Sequence, residues 1–330
     1  MQPPSTYRGR FAPSPTGSLH FGSLIAAVGS YLDAKHHHGT WLVRMEDLDT
    51  PRCVTSAADG ILRTLAAFGL HSDEPVLYQS QRTVVYAAAL HKLQATGAVY
   101  PCCCTRREIA DSALYGIDGL IYSGTCRNKF HVSPSPQPSP IKGEGAISGR
   151  SLSWRVRTDT YPSPLVGEGQ GERGATIQFN DAIQGHITQD LENEIGDFVV
   201  KRADGLFAYQ LAVVVDDAFQ GITHIVRGAD LLHSTPRQIY LQQLLGLPTP
   251  YYMHLPIAVN AQGEKLSKQT LAQAIGTDHV VATLISVLEF LQQQPPVELR
   301  DGSVEEVLSW AVESWRLEQL KNKLRLQATA

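Results

Sequence analysis

A single histidine, His20, stands where a loop of small residues meets a long apolar pattern in RFAPSPTGSLHFGSLIAAVGSYLDA, Arg10 to Ala34. A helix start carries free backbone N–H groups and a partial positive charge, so it is a ready site for phosphate. An imidazole there can hydrogen-bond a phosphate oxygen. Gly22, on the same turn, sets no side chain in the way of a purine. Far along the chain, Gly263-Glu264-Lys265-Leu266-Ser267-Lys268 puts two lysines and a serine in a glycine-led loop. Such lysines can close over the outer phosphates of ATP and neutralise charge as it shifts during phosphoryl or adenylyl transfer. Taken singly, both features are ordinary. A lone histidine at a helix start is more often a satisfied surface or core residue, and K-x-S-K is usually a solvated loop. The pair, in this order and this far apart, is much more specific.

The elements that must position these residues follow from periodicity. Tyr7 to Ala12 reads as a short strand ending in a Pro-rich turn. Leu19, Leu24, Ile25, Val28, Tyr31 and Leu32 have helical spacing over Ser18 to Asp33. Trp41 to Met45 reads as a buried strand ending in acids, and helices are expected over about Ser56–Phe68 and from Arg82 to Gly97. Strand, helix, strand, helix, helix suits an open α/β sheet. Ligands of such sheets bind beyond the carboxyl ends of strands, where Arg10–Gly17 and Glu46–Asp49 would both lie. Further on, ATIQFNDAIQGHIT from Ala175 looks like a hairpin. Strand and helix signals alternate to Leu232, and PRQIYLQQLLG and the last fifty residues read as helical, with Trp310 and Trp315 as core contacts.

Composition bounds the class. The chain has 330 residues, 43% hydrophobic and 18% charged, enough to bury a real core, and a net charge of −4 argues against a protein coated in basic charge. No run reads as a membrane span, and the start MQPPSTYRGR has no signal-peptide core, so a cytoplasmic protein is expected. Of five cysteines, Cys102, Cys103, Cys104 and Cys126 crowd into 25 residues, which points to metal or redox chemistry. Cys-x-Cys is tighter than the common zinc spacing, and tyrosine is not a usual structural ligand. Spacing therefore leaves zinc and reduced buried cysteines both open, with Cys103 an ambiguity. The pattern P-S-P-[I/L]-x-G-E-G occurs at Pro138–Gly145 and again at Pro162–Gly169; both copies read as solvent-exposed loop insertions flanking a strand at Leu152–Val156.

P-S-P-T-G-S-L-H-F-G-S resembles the HIGH element of class I aminoacyl-tRNA synthetases, and K-L-S-K-Q resembles their KMSKS loop. R-F-A-P-S-P-T-G-x-L-H is similar to the opening of the glutamyl-tRNA synthetase catalytic domain. V-R-M-E-D-L-D-T-P-R (Val43–Arg52), Y-Q-S-Q-R (Tyr78–Arg82), V-V-D-D (Val214–Asp217) and H-I-V-R-G-A-D-L-L (His224–Leu232) support it. The resemblance covers roughly residues 7–127 and 176–275. It implies an α/β, Rossmann-type catalytic domain with an inserted zinc-containing subdomain and a short helical C-terminal region. Its expected boundaries are 1–100 for the first catalytic half, 101–195 for the inserted subdomain with loops at 131–150 and 162–174, 196–269 for the second half and 270–330 for the C-terminal region.

The same resemblance implies site residues. Arg10, Phe11, Ala12, Pro13 and Ser14, with Glu46, Tyr209 and Arg227, would form a glutamate pocket. Arginines suit its two carboxylates and Glu46 its ammonium. Pro13, His20, Gly22, Ser23, Lys265, Ser267 and Lys268 would hold ATP, with His20, Ser23 and Lys268 on the phosphates and Mg²⁺ on the pyrophosphate side. No nucleophilic side chain is required: the glutamate carboxylate attacks the α-phosphate, and the protein positions and stabilises charge. C-x-C…Y-x₃-C looks like the zinc site of glutamyl-queuosine tRNA(Asp) synthetases, short paralogs of glutamyl-tRNA synthetase. That implies one structural Zn²⁺ on Cys102, Cys104, Tyr122 and Cys126. After Gln269 only 61 residues remain, too few for full helical anticodon-binding domains. The implied activity is glutamate transfer to queuosine in the anticodon of tRNA(Asp), by a monomer. A truncated enzyme charging tRNA(Glu), or a non-catalytic zinc-binding module, is the alternative. Ser23 departs from the general motif, which has a second histidine there.

Overall fold

The computed structural model describes residues 6–112, 114–117, 119–129, 151–159, 174–266 and 274–328. The two repeat-bearing loops, apart from Gly174, lie outside the described residues, as do Ser267 and Lys268.

The chain opens with β1 (Arg8–Phe11), α1 (Phe21–His36), β2 (Thr40–Met45), α2 (Ala57–Ala67), β3 (Leu77–Tyr78) and α3 (Thr83–Ala95). Next come β4 (Val99–Cys102), α4 (Arg106–Ser112), β5 (Leu114–Gly116), β6 (Gly119–Ile121) and β7 (Ser153–Val156). A hairpin of β8 (Thr176–Asp181) and β9 (Gly185–Asp190) follows, then α5 (Leu191–Glu194) and β10 (Phe198–Lys201). The chain continues through α6 (Tyr209–Phe219), β11 (His224–Gly228), α7 (Thr235–Leu245), β12 (Tyr251–Leu255) and β13 (Ile257–Val259). It closes with α8 (Val280–Phe290), α9 (Val304–Glu313) and β14 (Arg325–Gln327).

β1 pairs with β2 and β2 with β3, all parallel, and β12 pairs parallel with β11 and β8. β1 runs beside β11, where Thr223 donates its backbone N–H to the Arg8 carbonyl at 2.9 Å. The parallel strands thus turn back in order on either side of β1 and β11. That is the switch point of a doubly wound sheet, where a crevice opens at the carboxyl ends. β4, β7 and β10 form a separate antiparallel sheet, and β5 and β6 a small hairpin.

Alternation along the strands builds two cores, one on each face. Trp41, Val43 and Met45 of β2 face the core shared with α1, α2, α8 and α9; Leu42 faces the core of α3, α6 and α7. β11 repeats the division with Val226 and Ile225. The first helix lies tight on the sheet: a Cβ on Gly29 would stand 2.5 Å from Leu255 Cδ1. Full burial of Leu24, Val28 and Leu32 against that face contributes about 1.5–3 kcal/mol each.

Two expectations are corrected. The first helix begins at Phe21 and not at Ser18, because His20 takes the cap position with extended backbone and leaves the residues before it in the loop. The last fifty residues are not all helical: Arg325–Gln327 alternates exposed and half-buried residues and pairs parallel with Ile257–Val259 as an edge strand. Trp315 is buried and Trp310 packs on the same core, as the sequence suggests. Among the described residues no helix is long and apolar enough to cross a membrane.

Candidate active site

A cavity of about 230 Å³ opens at the switch point. Phe11, Ala12, Pro13 and Ser14 leave the end of β1 along one wall, with Arg10 behind them. Arg227, at the end of β11, and Tyr209, at the start of α6, supply the facing wall. His20, Gly22 and Ser23, at the start of α1, complete it together with Lys265 and Leu266. Apart from Glu46, and from Ser267 and Lys268, which lie outside the described residues, the residues assigned from sequence to glutamate and to ATP line one cavity.

At the helix start, Nδ1 of His20 accepts the Ser23 backbone N–H at 3.3 Å, and Nε2 lies 3.0 Å from Ser23 Oγ. The ring is thus held against the first turn by the residue expected to act beside it. A Cβ on Gly22 would stand 3.2 Å from His20 Cε1 and 3.4 Å from the Leu266 carbonyl oxygen. The lysine loop returns to the same place: Ala274 bridges to His20, and Ile275 donates its N–H to the Leu19 carbonyl at 2.9 Å. The Leu266 carbonyl oxygen and Ala274 thus both lie beside the start of α1. Lys265 Nζ pairs with Asp230 at 2.6 Å.

Behind the cavity lies a buried charge cluster. Asp217 Oδ1 accepts from Arg10 Nε at 3.0 Å and from Arg44 Nη1 at 2.7 Å. Arg44 Nη2 also reaches Glu46 Oε1 at 3.3 Å. Burial acts to raise the Asp217 carboxyl, and the two arginines overcome it and leave it below the usual carboxylate range. For Glu46 burial wins, and its carboxyl is raised despite Arg44 and Arg10. Glu46 lies outside the cavity wall proper; its backbone N–H donates to the Pro13 carbonyl at 2.9 Å, which ties it to the wall. Arg44 is fully buried, and neither it nor Asp217 has a role in the sequence reading. An arginine inside an apolar strand signals a buried partner, because a charge so placed must be paired.

Arg227 is held on three sides. Nε donates to His254 Nε2 at 3.1 Å, Nη2 to Thr235 Oγ1 at 2.7 Å and Nη1 to Tyr209 Oη at 3.3 Å. Nδ1 of His254 lies 2.6 Å from Asp181 Oδ2. His254, Thr235 and Asp181 are all absent from the sequence reading. The histidine could have been noticed as a polar residue in the apolar strand YYMHL, whereas Asp181 reads as an ordinary turn residue.

Away from the cavity, the thiols of Cys102, Cys104 and Cys126 lie within 4.8 Å of one another. Tyr122 Oη is 3.3 Å from Cys102 Sγ and 3.4 Å from Cys104 Sγ. Tetrahedral coordination at about 2.3 Å from sulfur sets neighbouring sulfurs just under 4 Å apart, so these four groups fit a metal ion. Burial acts to raise Cys126, and hydrogen bonds led by that from Tyr122 bring it down to about 7. Arg155 lies 4.1 Å over the Tyr122 ring and fixes it from behind.

This site and sheet define a class of protein. The family "tRNA synthetases class I (E and Q), catalytic domain" matches residues 6–114 and 170–284. The structure is similar to a glutamate-tRNA synthetase from Elizabethkingia anophelis, with a TM-score of 0.73 and 23% identity over 99% of this chain and 68% of that one, a likeness of fold. Closer in sequence are relatives called glutamyl-Q tRNA(Asp) synthetase. That of Dechloromonas aromatica is 55% identical over 94% of both chains, and that of Thiobacillus denitrificans 51% over 96% of both. The chain belongs to this glutamyl-Q tRNA(Asp) synthetase family of the class I synthetases.

Proposed function

We propose that the chain activates L-glutamate with ATP and transfers the glutamyl group to the queuosine base in the anticodon of tRNA(Asp). The observation that carries this is the single cavity in which Arg10, Arg227 and Tyr209 converge within reach of the His20 turn. Two guanidiniums suit an amino acid with two carboxylates. A turn with Gly22 beside the helix start suits a nucleotide. The relatives' names supply the acceptor.

In this reading a glutamate carboxylate oxygen attacks the α-phosphorus of ATP, taken as its magnesium complex. The bond to the bridging oxygen breaks, pyrophosphate leaves with that electron pair, and glutamyl-adenylate remains. Arg10, Arg227 and Tyr209 hold the amino acid, and Glu46 faces its ammonium, whose charge favours the ionised carboxylate. His20, Ser23 and the loop residues Lys265, Ser267 and Lys268 contact the nucleotide; Lys265 exchanges Asp230 for phosphate. An acceptor hydroxyl then takes the glutamyl group. Cys102, Cys104, Tyr122 and Cys126 would hold zinc, which would supply a structural clamp away from the reacting groups. The protein works in the cytoplasm as a monomer.

The test is transfer of radiolabelled glutamate to tRNA(Asp) with and without queuosine, and to tRNA(Glu). Labelling of queuosine-containing tRNA(Asp) alone is expected. Charging of tRNA(Glu) alone overturns the acceptor, and absence of glutamate-dependent pyrophosphate exchange overturns the enzymatic reading.

A further inference from the structure

Arg227 has donors on both edges of its guanidinium, and the fold occupies one edge before any substrate arrives. Nε faces His254 and Nη2 faces Thr235. Thr235 Oγ1 and His254 Nε2 lie 3.1 Å apart, so these two side chains form one continuous acceptor surface along that edge.

The proton positions follow from the partners. Arginine Nε–H can only donate, so Nε2 of His254 must offer a lone pair. The ring hydrogen is then on Nδ1 and is donated to Asp181 Oδ2. Asp181 is itself fixed: its Oδ1 accepts the backbone N–H groups of Ile183 at 3.0 Å, Gln184 at 2.8 Å and His254 at 3.2 Å. A protonated imidazole would turn an N–H against the guanidinium, which the site forbids. Burial favours the same neutral form, pushing the imidazole down to about 4.

We propose that His254, oriented by Asp181, is a positioning residue for the amino-acid carboxylate: it pins Nε of Arg227 and leaves the Nη1 side of the guanidinium to meet the substrate. Thr235 closes the Nη2 flank. Tyr209 accepts from Nη1 through its phenol oxygen, so its own hydrogen remains available to the ligand. The edge that would otherwise seat a carboxylate through Nε is blocked, which restricts how the substrate can dock. This inference rests on the reading of Arg227 as a carboxylate ligand.

The test is glutamate-dependent pyrophosphate exchange by the full chain in His254→Gln, His254→Asn and Arg227→Ala, with KM measured separately for glutamate and ATP. The Gln oxygen can reach the position of Nε2 and accept from Arg227; the shorter Asn amide reaches only toward Asp181. His254→Asn is expected to raise the glutamate KM by roughly 10- to 100-fold, the scale of one lost hydrogen bond to a charged group, with the ATP KM unmoved. His254→Gln is expected to restore most of that loss. The two variants are equally polar and close in size, so a shared packing defect would affect them alike. Equal glutamate KM values in the two, or glutamate and ATP KM rising together, overturn the proposal. An unchanged glutamate KM in Arg227→Ala overturns instead the assignment of Arg227 itself.

Discussion

Arg44 donates to Asp217 at 2.7 Å across 173 residues of sequence, a contact that ties β2 to α6 beneath the cavity. Arg10 meets the same carboxylate. Asp217 thus neutralises one arginine buried beneath the cavity and another that lines it.

Asp217→Asn removes the counter-charge of two buried guanidiniums. Breaking a buried ion pair from one side costs about 3–5 kcal/mol. A fall of that size in chemical denaturation is expected, together with a raised glutamate KM, because Arg10 loses the partner that aims it.

His20→Ala and Lys268→Ala remove contacts expected to strengthen as charge moves onto the pyrophosphate. Each is expected to slow adenylate formation on the order of 10²-fold. Glutamate binding, read by calorimetry, is expected to change far less. Equal losses in both measurements would contradict a phosphate role.

Gly22→Ala places a methyl 3.2 Å from the His20 ring and 3.4 Å from the Leu266 carbonyl. Neither neighbour is the free end of a flexible chain, so the new group narrows the nucleotide side of the cavity. The ATP KM is expected to rise several-fold while the glutamate KM holds; the reverse pattern would put the two subsites the wrong way round.

Cys102→Ser and Cys103→Ser separate the ligands from their neighbour. Elemental analysis is expected to find metal lost from the first and retained in the second. Retention in Cys102→Ser would exclude that thiol from the set.

The buried histidine predicts a pH effect on stability. Its folded pKa is about 4, below the ordinary value of 6.5, so the unfolded chain binds its proton first as pH falls. Stability contributed by the neutral ring is whole above about pH 6.5 and is lost progressively toward pH 4, by about 3 kcal/mol. The charged and titratable groups around the ring are Asp181 of β8, Arg227 of β11, Asp230 and Tyr252, which lies 6.2 Å away between ring centres. Asp181 is itself held below its usual range, despite burial, chiefly by its hydrogen bond with His254, so its own contribution is lost only at still lower pH. Urea unfolding at pH 7 and pH 5 should show the loss in the native chain and a smaller one in His254→Gln; equal losses would remove the ring as the cause.

Much of the cavity was legible because its parts are local. Arg10 to Ser14 and His20 to Ser23 are contiguous runs whose residue types declare a turn and a helix start. Trp41–Met45 likewise declares a buried strand, but which core each of its side chains joins is set by the helices packed on the two faces. What stayed hidden depends on long-range pairing. Asp217 looks like any acid at a helix end until Arg10 and Arg44 arrive on it, and Asp181 looks like a turn former until His254 donates to it. Periodicity could not find β14 either, since three residues carry no period; its strand state comes from β13 beside it.

That last pairing has a practical side. Ala328 donates its backbone N–H to the Val259 carbonyl at 3.0 Å, a few residues before Lys265. Cutting the chain before Arg325 is therefore expected to loosen the strand that carries Ile257 and Ala258 of the cavity wall and leads on to Lys265.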